Sequence, residues 1–190
     1  MPNLGLLRPM RGFGEHGGFW GGYPPIRPGV VIALAVALLL CVPVARRLGT
    51  GRVTAWLLVA TVGVILAITM TPSRWALEFG AQGTVSCDLS RIGPASLEVY
   101  LRFDDPALNV LMFIPLGVLI GLLERRQHRR AIAVAAILLP FAIETIQAFA
   151  VPLDRACQGG DVFDNLAGLF IGLAAGWVAG TLWRSGRADA

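Results

Sequence analysis

Residues 141–172 read FAIETIQAFAVPLDRACQGGDVFDNLAGLFIG. Both ends of this stretch are apolar enough for a membrane helix. Yet Glu144, Gln147, Asp154, Arg155, Asp161, Asp164 and Asn165 sit within or beside those ends. A charged side chain at the centre of a membrane helix costs about 2.5–3.5 kcal/mol on insertion scales. Pairing, hydration or a bound ligand must offset that cost, and ionisable groups inside a membrane mark functional sites by default.

The rest of the chain supports the membrane reading. Its 190 residues are 55% hydrophobic and only 15% charged, with a mean hydropathy of +0.67. That is too apolar for a soluble domain. All 16 basic residues are arginine, and the net charge is +4. The arginines cluster between apolar runs and are not interleaved with aromatics, so nucleic acid is not an expected partner.

The apolar runs predict an all-α fold, a polytopic transmembrane helix bundle of about five spans. The spans are 30–45, 53–71, 107–123, 131–151 and 162–183, in a transmembrane domain of 29–184. A flexible Gly- and Pro-rich tail, 1–28, precedes it, and a short tail, 185–190, follows. The first tail lacks the apolar h-region of a signal peptide. Within it, Trp20 and Tyr23 suit the membrane interface, and His16 reads as a solvated histidine. Pro43, Pro115 and Pro140 fall inside spans, where proline is tolerated. Segment 96–103 fits a short surface helix or an ordered loop equally well. Gly117 and Gly121 form a close-packing face on the third span, and Gly168, Gly172, Gly176 and Gly180 form one on the fifth.

Arginine counting sets the expected orientation. Arg46, Arg47 and Arg52 follow the first span. Arg125, Arg126, Arg129 and Arg130 follow the third, and Arg184 and Arg187 follow the fifth. With five spans these connections share one side, which the positive-inside rule makes cytoplasmic. The N-terminus is then extracytoplasmic and the C-terminus cytoplasmic. Loops 73–105 and 152–161 also lie outside. Arg8, Arg11 and Arg27 run against this orientation, but the three connections agree with one another. Cys87 and Cys157 fall in the two outside loops, where a disulfide can persist. Two free thiols are the alternative, and Cys41 reads as a packing residue within the first span.

The polar groups converge by topology. Glu144 and Gln147, at i and i+3, share a face of the fourth span. Glu144 lies about 9 Å below the outer end of that helix at 1.5 Å per residue. Asp161 and Asn165, at i and i+4, share a face of the fifth span that the glycines continue. Asn109 enters from the outer end of the third. Asn109, Glu144, Gln147, Arg155, Asp161 and Asn165 are therefore the expected ligand-binding set, facing the outer leaflet, with Asp154 and Arg155 placed to lid it. Plainer roles compete with this. Asn109 and Asn165 can act as interhelical glue, Asp161 as a helix cap, Asp164 as a group facing lipid headgroups, and Glu144 as a structural partner of Arg155.

These residues form an ordered set: N-x-x-x-F-x-P-x-G from Asn109 to Gly117, E-x-x-Q from Glu144 to Gln147, Arg155, and D-x-x-x-N-x-x-G from Asp161 to Gly168. The set resembles the VanZ-like family over about 108–172, while the first two spans match only in layout. The resemblance makes Asn109, Pro115, Glu144, Gln147, Arg155, Asp161 and Asn165 motif residues. It implies a small bacterial membrane protein related to a founding member linked to teicoplanin resistance.

Other chemistries find little support. There is no Walker loop, H-E-x-x-H, G-x-S-x-G or C-x-x-C, and His128 lies in an arginine-rich connection away from the polar set. Glu144, Asp161 and Asp164 offer oxygen ligands for a divalent cation, but their spacing is not diagnostic. No cofactor and no metal are expected. The favoured function is binding of a cell-envelope amphiphile at the outer leaflet, in glycopeptide resistance or envelope homeostasis. The expected partner is a membrane lipid, a lipid-linked cell-wall intermediate or a lipoglycopeptide antibiotic. One alternative is an intramembrane enzyme acting on a lipid headgroup with Glu144 as general base. Another is an assembly partner that docks a second membrane protein on its glycine face.

Overall fold

The first apolar run forms helix α1, Ile26–Leu48, in the computed structural model of the chain, which describes residues 25–81, 86–102, 104–124 and 126–188. Pro28 falls in its first turn, where a missing N–H costs no hydrogen bond. The helix therefore begins inside the segment read as tail. The remainder of that tail, with His16, Trp20 and Tyr23, lies outside the described residues. Gly49 ends α1 in the left-handed region at φ 62°, which glycine adopts without steric cost. The chain then turns back into α2, Arg52–Thr69. The two helices pack closely: a Cβ added at Gly63 would lie 2.7 Å from the Ala33 Cβ.

Short elements bridge α2 to the next span. They are α3 (Arg74–Phe79), β1 (Cys87–Asp88) and α4 (Leu97–Leu101). Helix α4 settles the choice for 96–103 in favour of a short helix. Three long elements follow: α5 (Asp105–Leu122), α6 (Arg126–Phe149) and α7 (Gly159–Ala188). Between the last two lie a 3₁₀ turn, Val151–Leu153, and β2, Cys157–Gln158. Helix α6 takes in the arginines from Arg126 onward, and α7 runs through most of the segment read as a C-terminal tail. Arginine and alanine are good helix formers, and extending an existing helix costs far less than starting one.

The closest helix pair is α5 with α7. A Cβ at Gly168 would lie 2.0 Å from the Val110 carbonyl oxygen. At Gly172 it would lie 2.2 Å from that of Ile114, and at Gly176 2.2 Å from that of Val118. The numbers rise together, so the helices run in the same direction. Gly117 answers from α5, where a Cβ would meet the Leu169 oxygen at 2.2 Å. Lipid offers no hydrophobic drive between helices, so close backbone packing of this kind supplies the attraction. The glycine face of the last helix is thus filled from within the chain.

Phe113, Leu116, Ile120, Ile143 and Leu169 are buried where α5, α6 and α7 meet, and Ile65 joins them from α2. Val31, Leu39, Phe149 and Leu182 are exposed on the outer surface, as suits side chains facing lipid. Five helices are long and apolar enough to cross a membrane. The chain is a multi-pass membrane protein.

Candidate functional site

The polar residues gather at the end of the bundle where α2 and α6 finish and α5 and α7 begin. A disulfide builds this end. Cys87 and Cys157 are bonded, with Cα atoms 4.6 Å apart. They are also partners in a parallel pairing of β1 with β2, in which Asp88 faces Gln158. The long loop is thereby fixed across the mouth of the α6–α7 connection.

Four residues beyond Cys87, Arg91 turns into the bundle. Its Nη2 donates to Asp164 Oδ2 at 2.6 Å and its Nη1 to Oδ1 at 3.3 Å. Asp164 is wholly buried. Tyr100 of α4 donates its hydroxyl to Asp164 Oδ1 at 2.5 Å, and the Tyr100 hydroxyl oxygen accepts from the Ala95 N–H at 2.9 Å. Nη2 of Arg91 also lies 3.6 Å from Asp161 Oδ1. Gly160 leaves the space for this: a Cβ there would sit 2.3 Å from the guanidinium. The hydrogen bond to Asp164 holds Arg91 above its ordinary pKa. Burial, and then the bond to Asp164, push the Tyr100 phenol up as well. The expectation that Asp164 faces headgroups is therefore corrected. A buried carboxylate needs a partner, and Arg91 and Tyr100 supply it.

Glu144 is 6% exposed, and its Oε2 accepts the Gln158 backbone N–H at 2.8 Å. Asp161 is an electrostatic neighbour of Glu144, Asp164 and Asp105, and Asn109 lies near its carboxylate. Arg155 acts electrostatically on both Glu144 and Asp105. Asn165 is 2% exposed, yet its Oδ1 has no hydrogen-bond partner among the described residues. A buried carbonyl oxygen without a donor costs free energy. On α7 it lies one turn below Asp161, on the same face. Asn109, Glu144, Asp161 and Asn165 thus share one end of the bundle, with an unmet demand for a donor among them.

Gln147 and Arg155 reach the end of α2. Gln147 Nε2 donates to the Thr69 carbonyl at 2.9 Å, and Arg155 Nη2 donates to that of Ile68 at 2.9 Å. These are the last carbonyls of α2, which no intrahelical N–H satisfies, and a cation beside a helix C-terminus is favourable. Ser73 adds a second tie from the α2 end: its N–H donates to the Leu153 carbonyl at 3.1 Å and its hydroxyl to Asp154 Oδ2 at 3.2 Å. Asp154 and Arg155 so anchor the α6–α7 connection to α2.

Three residues that complete the site were not among the expected set: Arg91, Tyr100 and Gly160. The signal for Arg91 is its distance from Cys87. Once Cys87 pairs with Cys157, the parallel register carries Arg91 toward the first turns of α7. Among the described residues no three His, Cys, Asp or Glu side chains come together so as to hold a metal ion. His128 lies at the opposite end, where its Nδ1 is 3.2 Å from the Leu48 carbonyl oxygen.

An apolar groove of about 600 Å³ begins beside this site. It runs between α1 and α2 from Gly29 and Thr71 toward Val36 and Leu58.

A family model described as VanZ/LLP1 matches residues 29–180. No curated protein and no solved structure matches the chain.

Proposed function

The chain belongs to the VanZ/LLP1 family, and on that premise we propose that it binds a cell-envelope amphiphile whose headgroup is rich in hydrogen-bond donors. A lipid-linked cell-wall intermediate has this chemistry, and so does a lipoglycopeptide antibiotic: sugar hydroxyls, peptide N–H groups and amines on an apolar anchor. The unpartnered Asn165 Oδ1 carries the reading. It is a buried acceptor at the same end of the bundle as the carboxylates Glu144 and Asp161, and a donor-bearing headgroup would satisfy all three. The groove between α1 and α2, open at the same end, offers a path for the tail.

Binding at this end places the site in the outer leaflet if the arginine-rich connections are cytoplasmic. A membrane-impermeant thiol reagent on intact cells then labels Gly80→Cys and spares Gln127→Cys. The reverse pattern inverts the orientation. The role in glycopeptide resistance is tested in cells that carry the gene against a susceptible background. Glu144→Ala and Asp161→Ala abolish the protection at unchanged protein level. Full protection by both variants refutes the assignment.

A further inference from the structure

We propose that the opposite, arginine-rich end of the bundle holds a second site, for the phosphodiester headgroup of an anionic membrane phospholipid. A cavity of about 330 Å³ opens there between α5, α6 and α7, lined by Gly121, Arg129, Arg130, Ala133, Leu173 and Trp177 among others. It lies about 18 Å along the helix axis from the carboxylate end, taking Asn109 to Gly121 at 1.5 Å per residue.

The charge in this cavity is unbalanced. No acidic residue lines it. Neither Arg129 nor Arg130 forms an ion pair among the described residues. Arg129 Nη1 donates to the Leu123 carbonyl at 3.3 Å, which holds its guanidinium over the end of α5. Arg130 is exposed one turn into α6. Two guanidinium groups at the membrane boundary, without an ion-pair partner among the described residues, fit a phosphate well.

The floor of the cavity is apolar. Ala133, Leu173 and Trp177 form it, and Trp177 is 55% exposed on the outer face of α7, where an interfacial tryptophan belongs. A free phosphate gains nothing from that floor, whereas a lipid uses rim and floor together. Basic pockets between membrane helices are a recognised setting for anionic lipid headgroups. At Gly121 the backbones of α5 and α7 touch, an added Cβ lying 2.7 Å from the Leu173 carbonyl oxygen, and the small side chain of Ala133 on α6 leaves the space beside them.

The test is native mass spectrometry of the full chain in detergent, with phosphatidylglycerol and phosphatidylcholine at equal concentration. Phosphatidylglycerol adducts should exceed phosphatidylcholine adducts, and Arg130→Ala should lower them roughly fivefold, with a similar further loss in the Arg129→Ala/Arg130→Ala double variant. Arg129 also holds the Leu123 carbonyl, so Arg130→Ala, with its melting temperature checked, is the deciding variant. Ala133→Leu, which fills the cavity without changing charge, should lose the adduct too. Excess glycerol phosphate should leave it in place. Equal retention of the two lipids overturns the proposal. So does an unchanged adduct in Arg130→Ala or Ala133→Leu, or displacement by glycerol phosphate at the lipid's own concentration.

Discussion

Arg91 holds Asp164 across 73 residues of chain, its Nη2 2.6 Å from Oδ2. The carboxylate is fully buried and the guanidinium is a third exposed, so the loop before α5 acts as a charged plug in the mouth of the bundle. Removing one partner of such a pair strands the other. Arg91→Ala should cost about 3–5 kcal/mol, and Asp164→Asn in the same chain should recover much of it. Gly160→Ala should cost less than Arg91→Ala, because its Cβ presses on the far end of a flexible side chain that can shift. Thermal melting in detergent measures all three. An Arg91→Ala protein as stable as wild type contradicts the arrangement.

The glycine contacts of α5 and α7 give a sharper contrast. Gly172→Ala puts a Cβ 2.2 Å from the Ile114 carbonyl oxygen. Backbone cannot rotate away as a side chain can, so the helices must part. We expect a loss of about 1–3 kcal/mol or more. Gly186→Ala, on the same helix with nothing within 4 Å of the added Cβ, should be neutral or slightly stabilising, by up to about 1 kcal/mol. Equal melting temperatures for the two variants exclude tight glycine packing.

Tyr100 gives the alkaline limb of stability a source. Burial and the bond to Asp164 raise its pKa in the folded protein above the ordinary value of about 10. The fold thus favours the neutral phenol. Its contribution is complete below the unfolded value and is lost as pH rises through the folded one. Titrated by phenolate absorbance, the chain should show a component delayed above the ordinary value. Tyr100→Phe should remove the delayed component. It should also lower stability by about 1.5–3 kcal/mol, the usual worth of a hydrogen bond to a charged group. A titration in which Tyr100→Phe removes only a component near pH 10 rules this out.

Much of the architecture is legible in the residues themselves. Long apolar runs announce the five spans, and the four-residue glycine spacing announces a close neighbour for the last helix. Two cysteines in loops on one side of the membrane announce their bridge. The partner of Asp164 is harder to read. Arg91 reaches it only through a two-residue parallel pairing that the bridge creates, and such pairings leave no periodic trace. Gln147 and Arg155 are hidden for another reason. They serve backbone carbonyls of Thr69 and Ile68, and a helix end's unmet acceptors are invisible in a side-chain pattern. Glu144, Asp161 and Asn165 stand out because polar groups are costly in apolar helices.

The central claim is that a donor-rich amphiphile seats its headgroup among Asn109, Glu144, Asp161 and Asn165. Its most direct test is equilibrium binding of a lipid-linked disaccharide-peptide to the purified protein in nanodiscs. Polyprenyl phosphate without sugar or peptide serves as the control ligand. Wild type should prefer the full headgroup. Glu144→Gln and Asn165→Ala, both melting near wild type, should bind it roughly tenfold or more weakly, the effect of about 1.4 kcal/mol. Equal affinity for the bare polyprenyl phosphate, or undiminished binding by both variants, contradicts the account.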